Sequence, residues 1–315
     1  MTAKPNCDGV LLIGFGGPTA PAEIRPFLDR VLKGRPVPPE RYDQVVRNYE
    51  FMGGRSPYNE ITLRQAAALD EMLRRTGIGV PVRVGLRNTP PYVEDALREL
   101  GAAGVRRALG FVLAAHRCEA SWDRYQDDVA QARNRIGSGA PAVDYPAPWH
   151  DHPLFIEAVA DRVRAAIARI GEAACASAEL IFTAHSIPLA MAARAPYVDQ
   201  INQSARLVAS ALGYERWSLA FQSRSGNPRE PWLEPDIGAA LRQLAGRAAV
   251  VMPLGFLCDH VEVLYDLDVE AAAIAREYGV RMERAATVGD HPRFIEMIAS
   301  IVRAHCAAPA RAEAG

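Results

Sequence analysis

Short, continuous apolar runs alternate along the chain with longer stretches of helical period. The clearest strand candidates are Gly9–Phe15, Val82–Leu86, Ala108–Ala114, Leu180–Thr183, Ser218–Phe221 and Ala248–Leu254. Helix candidates between them include Thr62–Thr76, Tyr92–Leu100, Gln200–Leu212 and Glu234–Leu244. Strands that are apolar throughout, without polar alternation, belong in a parallel sheet covered by helices on both faces. The pattern therefore predicts an α/β architecture.

An internal repeat divides the chain. Asp151-His-Pro-Leu-Phe-Ile-Glu157 recurs as Asp290-His-Pro-Arg-Phe-Ile-Glu296, and each copy runs into an amphipathic apolar pattern ending near Val163 or Val302. A polar pair followed by proline is a helix-start signal. Each copy follows a set of strand–helix units, which suggests two similar halves, residues 1–148 and 149–289. The remaining segment, 290–315, is expected to be a helix that packs back on the first half and ends in a frayed Ala-rich tail.

Open parallel sheets bind ligands outside the carboxyl ends of their strands, and here polar or glycine-rich groups follow strand after strand. In the first half these are Gly14-Phe-Gly-Gly-Pro18, Arg87-Asn88 and His116-Arg117. In the second half they are His185-Ser186, Gln222-Ser-Arg224, and Asp259-His260 with Glu262. Loops at one edge of both sheets would face each other across a cleft, and that cleft is the expected site.

The glycine loop does not complete a nucleotide signature. G-x-G-x-x-G would need glycine where Thr19 stands, and no Walker lysine follows. It reads instead as a tight turn that lets a backbone or a flat ligand come close. His185 ends an apolar strand, where a structural hydrogen bond is the common role. Imidazole at a carboxyl strand end can also bind ferrous iron or accept a proton near neutral pH. Glu262, Asp266 and Glu270 are spaced four apart, one carboxylate stripe on a helix, with Val263, Leu264 and Leu267 on the opposite flank. Such a stripe is commonly a solvated face. Starting beside a strand end and leading to a histidine, it equally suits a track for a divalent cation or for departing protons. Trp232 reads as core or as the wall of a flat-ligand pocket, and Gly53-Gly-Arg-Ser-Pro57 has the same ambiguity. Asp43, Arg47 and Arg55 read as a solvated face.

Composition narrows the class. The 315 residues are 49% hydrophobic and 23% charged, with formal net charge −1, which gives no footprint for nucleic acid or an anionic membrane surface. The opening residues lack a signal-peptide layout. The longest apolar run, Ala248 to Cys258, contains Pro253 and Gly255 and falls short of the roughly 20 residues that span a bilayer. A soluble, cytoplasmic protein is expected. Five cysteines (Cys7, Cys118, Cys175, Cys258 and Cys306) are scattered without a CxxC. They make no disulfide framework, no iron–sulfur cluster is expected, and they read as buried or inert thiols.

Several stretches together resemble the ferrochelatases: Ala184-His-Ser-Ile-Pro188, Phe221-Gln-Ser-Arg224 with Pro231-Trp-Leu-Glu-Pro235, and Pro253-Leu-Gly-Phe256 with Asp259-His-Val-Glu-Val-Leu-Tyr-Asp266. Tyr49-Glu-Phe-Met-Gly-Gly-Arg-Ser-Pro57 and Gly85-Leu-Arg-Asn88 also resemble that family, and the match runs in order from Val10 to Val302. The resemblance implies two Rossmann-like domains with parallel four-stranded sheets of the chelatase kind and a porphyrin cleft between them. It implies a lyase of haem biosynthesis that inserts ferrous iron (Fe2+), itself a substrate, into a porphyrin without an organic cofactor. It makes His185 and Glu262 the catalytic and metal-binding pair, and Asp266 and Glu270 an acidic relay or secondary metal site. Porphyrin contacts fall on Phe15, Gly16, Pro18, Ser56, Arg87, Tyr125, Ser223 and Trp232. Phe15 stands where some relatives carry tyrosine, and the basic cluster of others is reduced to Lys33 and Arg35. Both departures lean towards protoporphyrin IX over coproporphyrin III. A cobalt or nickel chelatase and a non-catalytic porphyrin carrier are the rival readings. A monomer is expected, with peripheral membrane contact as an option for an apolar porphyrin.

Overall fold

In the computed structural model, which describes residues 7–34, 37–171, 178–225 and 229–307, two all-parallel four-stranded sheets form the frame. The first has the order β2-β1-β3-β4, from β1 (Gly9–Gly14), β2 (Val82–Leu86), β3 (Arg107–Val112) and β4 (Ala142–Asp144). The second repeats that order as β6-β5-β7-β8, from β5 (Glu179–His185), β6 (Trp217–Gln222), β7 (Ala248–Met252) and β8 (Arg281–Arg284). Each sheet begins with a central strand and adds one neighbour on each side. The winding reverses between β1 and β3 and again between β5 and β7, and these are the topological switch points at which such sheets bind ligands.

The central strands are apolar because both faces are covered. All six residues of β1 and all five of β7 are buried. The edge strands β4 and β8 escaped the sequence reading for the converse reason. Ala-Val-Asp and Arg-Met-Glu-Arg contain no buried residue and so no apolar run to betray them.

The helices are α1 (Ile24–Leu32), α2 (Pro39–Phe51), α3 (Tyr58–Arg75), α4 (Val93–Ala102), α5 (Arg124–Ile136), α6 (Pro153–Ile170), α7 (Leu189–Ala192), α8 (Tyr197–Leu212) and α9 (Ile237–Arg242). Then α10 runs through Val261–Val263, the π-helical turns of Leu264–Ala271 and Ala272–Glu277, and α11 covers Pro292–Ala307. The repeated Asp-His-Pro sequences start α6 and α11, with proline in the first turn. In each the histidine Nδ1 accepts a backbone N–H, from Leu154 at 3.2 Å and from Arg293 at 3.3 Å. The two helices pack on each other, α6 also against β7 and β8, and α11 also against α3.

The largest core is continuous through both halves. Trp149 stacks on Phe111 of the first sheet and meets Phe155 of α6 edge-on, while Phe155 in turn meets Phe294 of α11. Phe155 and Phe294 are fully buried. Phe155→Ala should cost about 3–5 kcal/mol of stability through lost contacts and an unfilled cavity, read as a lower midpoint in urea unfolding. A loss below about 1 kcal/mol would show that the junction of the halves contributes little.

Candidate active site

The second sheet's switch point carries the central pair. His185 is the last residue of β5, and Glu262 lies in the first turn of α10, after the loop that leaves β7. That loop folds straight back over β5: Gly255 N–H donates to the Thr183 carbonyl at 2.9 Å. A Cβ on Gly255 would stand 2.7 Å from Ala184 Cα, so only glycine permits the approach. The result brings His185 Nε2 to 3.9 Å from Glu262 Oε2. His185 Nδ1 lies 2.5 Å from the Ser186 carbonyl. A carbonyl only accepts, so Nδ1 carries the proton in the neutral ring and Nε2 presents a lone pair on Glu262's side.

The chain after β5 is braced from below. Ser186 Oγ donates to the Leu233 carbonyl at 2.9 Å, Tyr197 Oη donates to the His185 carbonyl at 3.0 Å, and Pro188 bridges to Trp232. Trp232 is buried, with no hydrogen-bond partner for its indole N–H among the described residues.

The expected carboxylate stripe is present, but its helix is not the regular α-helix that four-residue spacing suggests: Leu264–Ala271 is π-helical. Such turns concentrate at functional sites. Val263 and Leu267 are fully buried on one side, while Glu262 and Asp266 are half-buried and Glu270 exposed, so the acids lead from the histidine outward to solvent. Burial pushes the Asp266 carboxyl up to about 7, with Glu262 and Glu270 adding to the rise and a hydrogen bond from Ser223 opposing it. Ser223 Oγ donates to Asp266 Oδ2, from a backbone held at φ +60°. Burial also raises Glu270, against the field of Arg41.

The opposite wall comes from the first half. Gly16 sits at φ +87°, where a Cβ would lie 2.4 Å from Thr89 Oγ1, and a Cβ on Gly17 would meet Ser56 Cβ at 2.7 Å. The glycine loop is thus a tight turn pressed on its neighbours. It is pinned by Phe15 N–H to Tyr58 Oη at 2.9 Å, Gly17 N–H to Asn59 Oδ1 at 2.9 Å, and Ser56 N–H to the Pro18 carbonyl at 2.7 Å. Phe15 meets Phe27 edge-on, and Phe27 meets Tyr49 in a cluster that includes Val261, immediately before Glu262. Arg87 and Tyr125 come together as a buried stack, the guanidinium 4.4 Å from the ring centre and 2.5 Å from Asp128 Oδ2. Lys33 also pairs with Asp128, at 2.9 Å, whereas Arg35 lies outside the described residues.

Tyr58 and Arg284 went unrecognised in the sequence, and His260 was noted there only as part of a polar strand end. Tyr58 holds the glycine loop, and His260, its ring 6.0 Å from Tyr58 and 5.2 Å from Phe256, lies between the two walls. Its adjacency to Glu262 was the available signal; burial holds its imidazole below the ordinary value. Arg284 on β8 binds Asp268 through two nitrogens, at 2.6 and 2.9 Å, and Asp259 at 2.9 Å, anchoring α10 and the loop before it. Nothing in Arg-Met-Glu-Arg announced that role.

This arrangement, a histidine and a carboxylate between two parallel α/β sheets, belongs to the class of two-lobed chelatase folds. The sirohydrochlorin chelatase SirB of Bacillus subtilis subspecies spizizenii, crystallised with cobalt, has the same architecture, with a TM-score of 0.58 over 96% of each chain at 14% identity. The ferrochelatase family model matches residues 7–306, and the chain belongs to the ferrochelatase family. It is 43% identical to the ferrochelatase of Rhodopirellula baltica, over 96% of this chain and 87% of that one. It is also 43% identical to the coproporphyrin III ferrochelatase of Mycolicibacterium smegmatis, over 94% and 88%. As expected of the family, the chain is an enzyme that inserts iron into porphyrin. No helix among the described residues is long and apolar enough to cross a membrane.

The raised Asp266 carboxyl makes the metal-free protein sensitive to pH. A folded-state value near 7 against an ordinary 3.8 means the protonated form is the one folding favours. That contribution is complete below about pH 4 and is lost as pH rises through about 7. Asp266→Asn removes the titration. Its urea midpoint should therefore gain on the wild type across this window, and a gap that stays constant with pH would contradict the buried assignment.

Proposed function

We propose that this cleft metallates coproporphyrin III, with His185 and Glu262 at the metal and pyrrole centre. The observation that carries metal insertion at this pair is His185 Nε2 lying 3.9 Å from Glu262 Oε2 at the head of a line of acids. Insertion of Fe2+ into a free-base porphyrin releases two pyrrole protons as a dication arrives. The centre therefore needs a lone pair, a negative group to offset the incoming charge, and an exit for protons.

His185 Nε2 supplies the lone pair, accepting a pyrrole proton or ligating iron as the ion sheds water. Glu262 lowers the cost of bringing the dication in and takes the proton onward. Asp266, whose buried carboxyl exchanges a proton near neutrality, passes it to the exposed Glu270 and to water. The planar ring has its N–H groups in the metal's path, so it must be bent. The Gly14–Pro18 turn on one side and the braced segment around Trp232 on the other supply two walls that resist the ring, and contacts at its periphery supply the strain. In this scheme Phe15, Gly16, Pro18, Ser56, Ser223 and Trp232 line the ring. Arg87 and Tyr125 support that lining from behind, because their charges and faces are already satisfied by Asp128 and by each other.

The names of relatives at 43–44% identity support coproporphyrin III. Protoporphyrin IX is the second reading. Phe15 offers no hydroxyl, and Lys33 and Arg87 both spend their charge on Asp128, leaving fewer cations for four propionates. Anaerobic incubation with Fe2+ and each porphyrin, followed by absorption, decides between them: coproporphyrin III should be metallated with the higher kcat/KM, and the reverse order would overturn the choice. If neither is metallated faster than in buffer, the enzymatic reading fails.

Single-site variants separate chemistry from binding. His185→Ala and Glu262→Gln should each lower kcat by about 10²–10⁴ while porphyrin Kd, from fluorescence quenching, moves by less than roughly tenfold. Parallel losses in both would mean that the pair shapes the cleft without taking part in the reaction.

A further inference from the structure

Cys7 and Cys306 stand 299 positions apart, yet their sulfurs lie 2.7 Å from each other. Cys7 is buried just ahead of β1, and Cys306 is half-buried in the last turn of α11. Non-bonded heavy atoms settle at about 3.5–4.0 Å, and a disulfide at about 2.0 Å. The two thiols are thus already inside ordinary contact. They lie at the amino end of β1, away from the carboxyl edge where the porphyrin chemistry is placed, so the cleft makes no use of them.

We propose that Cys7 and Cys306 form a disulfide by exchange with a low-molecular-weight disulfide, fastening α11 to the central strand of the first sheet. The pair is asymmetric. The contact with Cys7 holds the Cys306 thiol below its ordinary value, while that same contact and burial hold Cys7 above it. Cys306, the more accessible, is therefore the entering nucleophile. Its thiolate attacks one sulfur of the small disulfide, breaking that S–S bond, expelling one small thiolate and leaving a mixed disulfide on Cys306. Cys7, on losing its proton, attacks the Cys306 sulfur and expels the second small thiolate. Two cysteine thiols are oxidised, one small disulfide is reduced to two thiols, and the two cysteine protons pass to the leaving thiolates. Because α11 packs on both α3 and α6, the bond would restrain a helix shared by the two halves, closing a loop of nearly the whole described chain.

The test uses the full chain and oxidised glutathione. The expected product is lighter by two hydrogens, retains no glutathione, and yields under non-reducing digestion one cross-linked pair of peptides carrying Cys7 and Cys306. Its Tm should rise by about 5 °C and fall back on reduction with dithiothreitol. Cys7→Ser should stop at the first step, holding glutathione on Cys306. Cys306→Ser should show neither cross-link nor adduct at Cys7. The proposal is overturned if all five thiols of the chain remain titratable after treatment, or if the cross-link joins any other pair.

Discussion

A parallel strand covered on both faces has room for polar chemistry only where it ends. That constraint governs this molecule twice over. Strands β1 and β7 are buried throughout, so the groups that can bind or react gather in the loops at their carboxyl ends. In the second sheet the constraint is sharpened by one close backbone contact, Gly255 against Ala184, which folds the β7 loop over β5 and sets Glu262 beside His185. Any side chain at Gly255 would lift that loop away.

The two segments that face the site are held for different reasons. On the first-half side, backbone N–H groups of the glycine turn are tied to Tyr58 and Asn59 at the start of α3, so the turn's shape is carried by a helix packed in the core. On the other side, an irregular segment around Trp232 is held by a short antiparallel bridge to the chain following His185. In the proposed reaction, segments held on both sides would bend a flat, stiff macrocycle, since a yielding wall would bend in place of the ring.

The acidic line shows how a helix can be spent on electrostatics. Glu262, Asp266 and Glu270 repel one another, and Asp266 is half-buried as well. The compensation comes from the other flank, where Val263 and Leu267 sit in the second sheet's outer core, and from Arg284, whose bidentate pairing with Asp268 holds the same helix at its base. The apolar face and the arginine fix the helix in place and hold the acids in a line at the expense of their own solvation.

Much of this was legible in the residues alone. The apolar runs marked every strand that is buried on both faces, the repeated Asp-His-Pro segments marked the starts of α6 and α11, and the family resemblance singled out His185 and Glu262. Their spacing could not: a histidine and a four-residue acidic stripe occur far more often as ordinary structure. What sequence left undecided depends on long-range contacts. The edge strands β4 and β8 have no fully buried residue and carry no hydrophobic signature, so only pairing with a neighbour makes them strands. The π-helical turns of α10, the burial that raises Asp266 and the capture of Arg87 by Asp128 and Tyr125 all follow from packing between segments distant in the chain. Residue type sets what each group can do; the neighbours that folding brings to it decide its charge, its reach and which of those capacities it keeps.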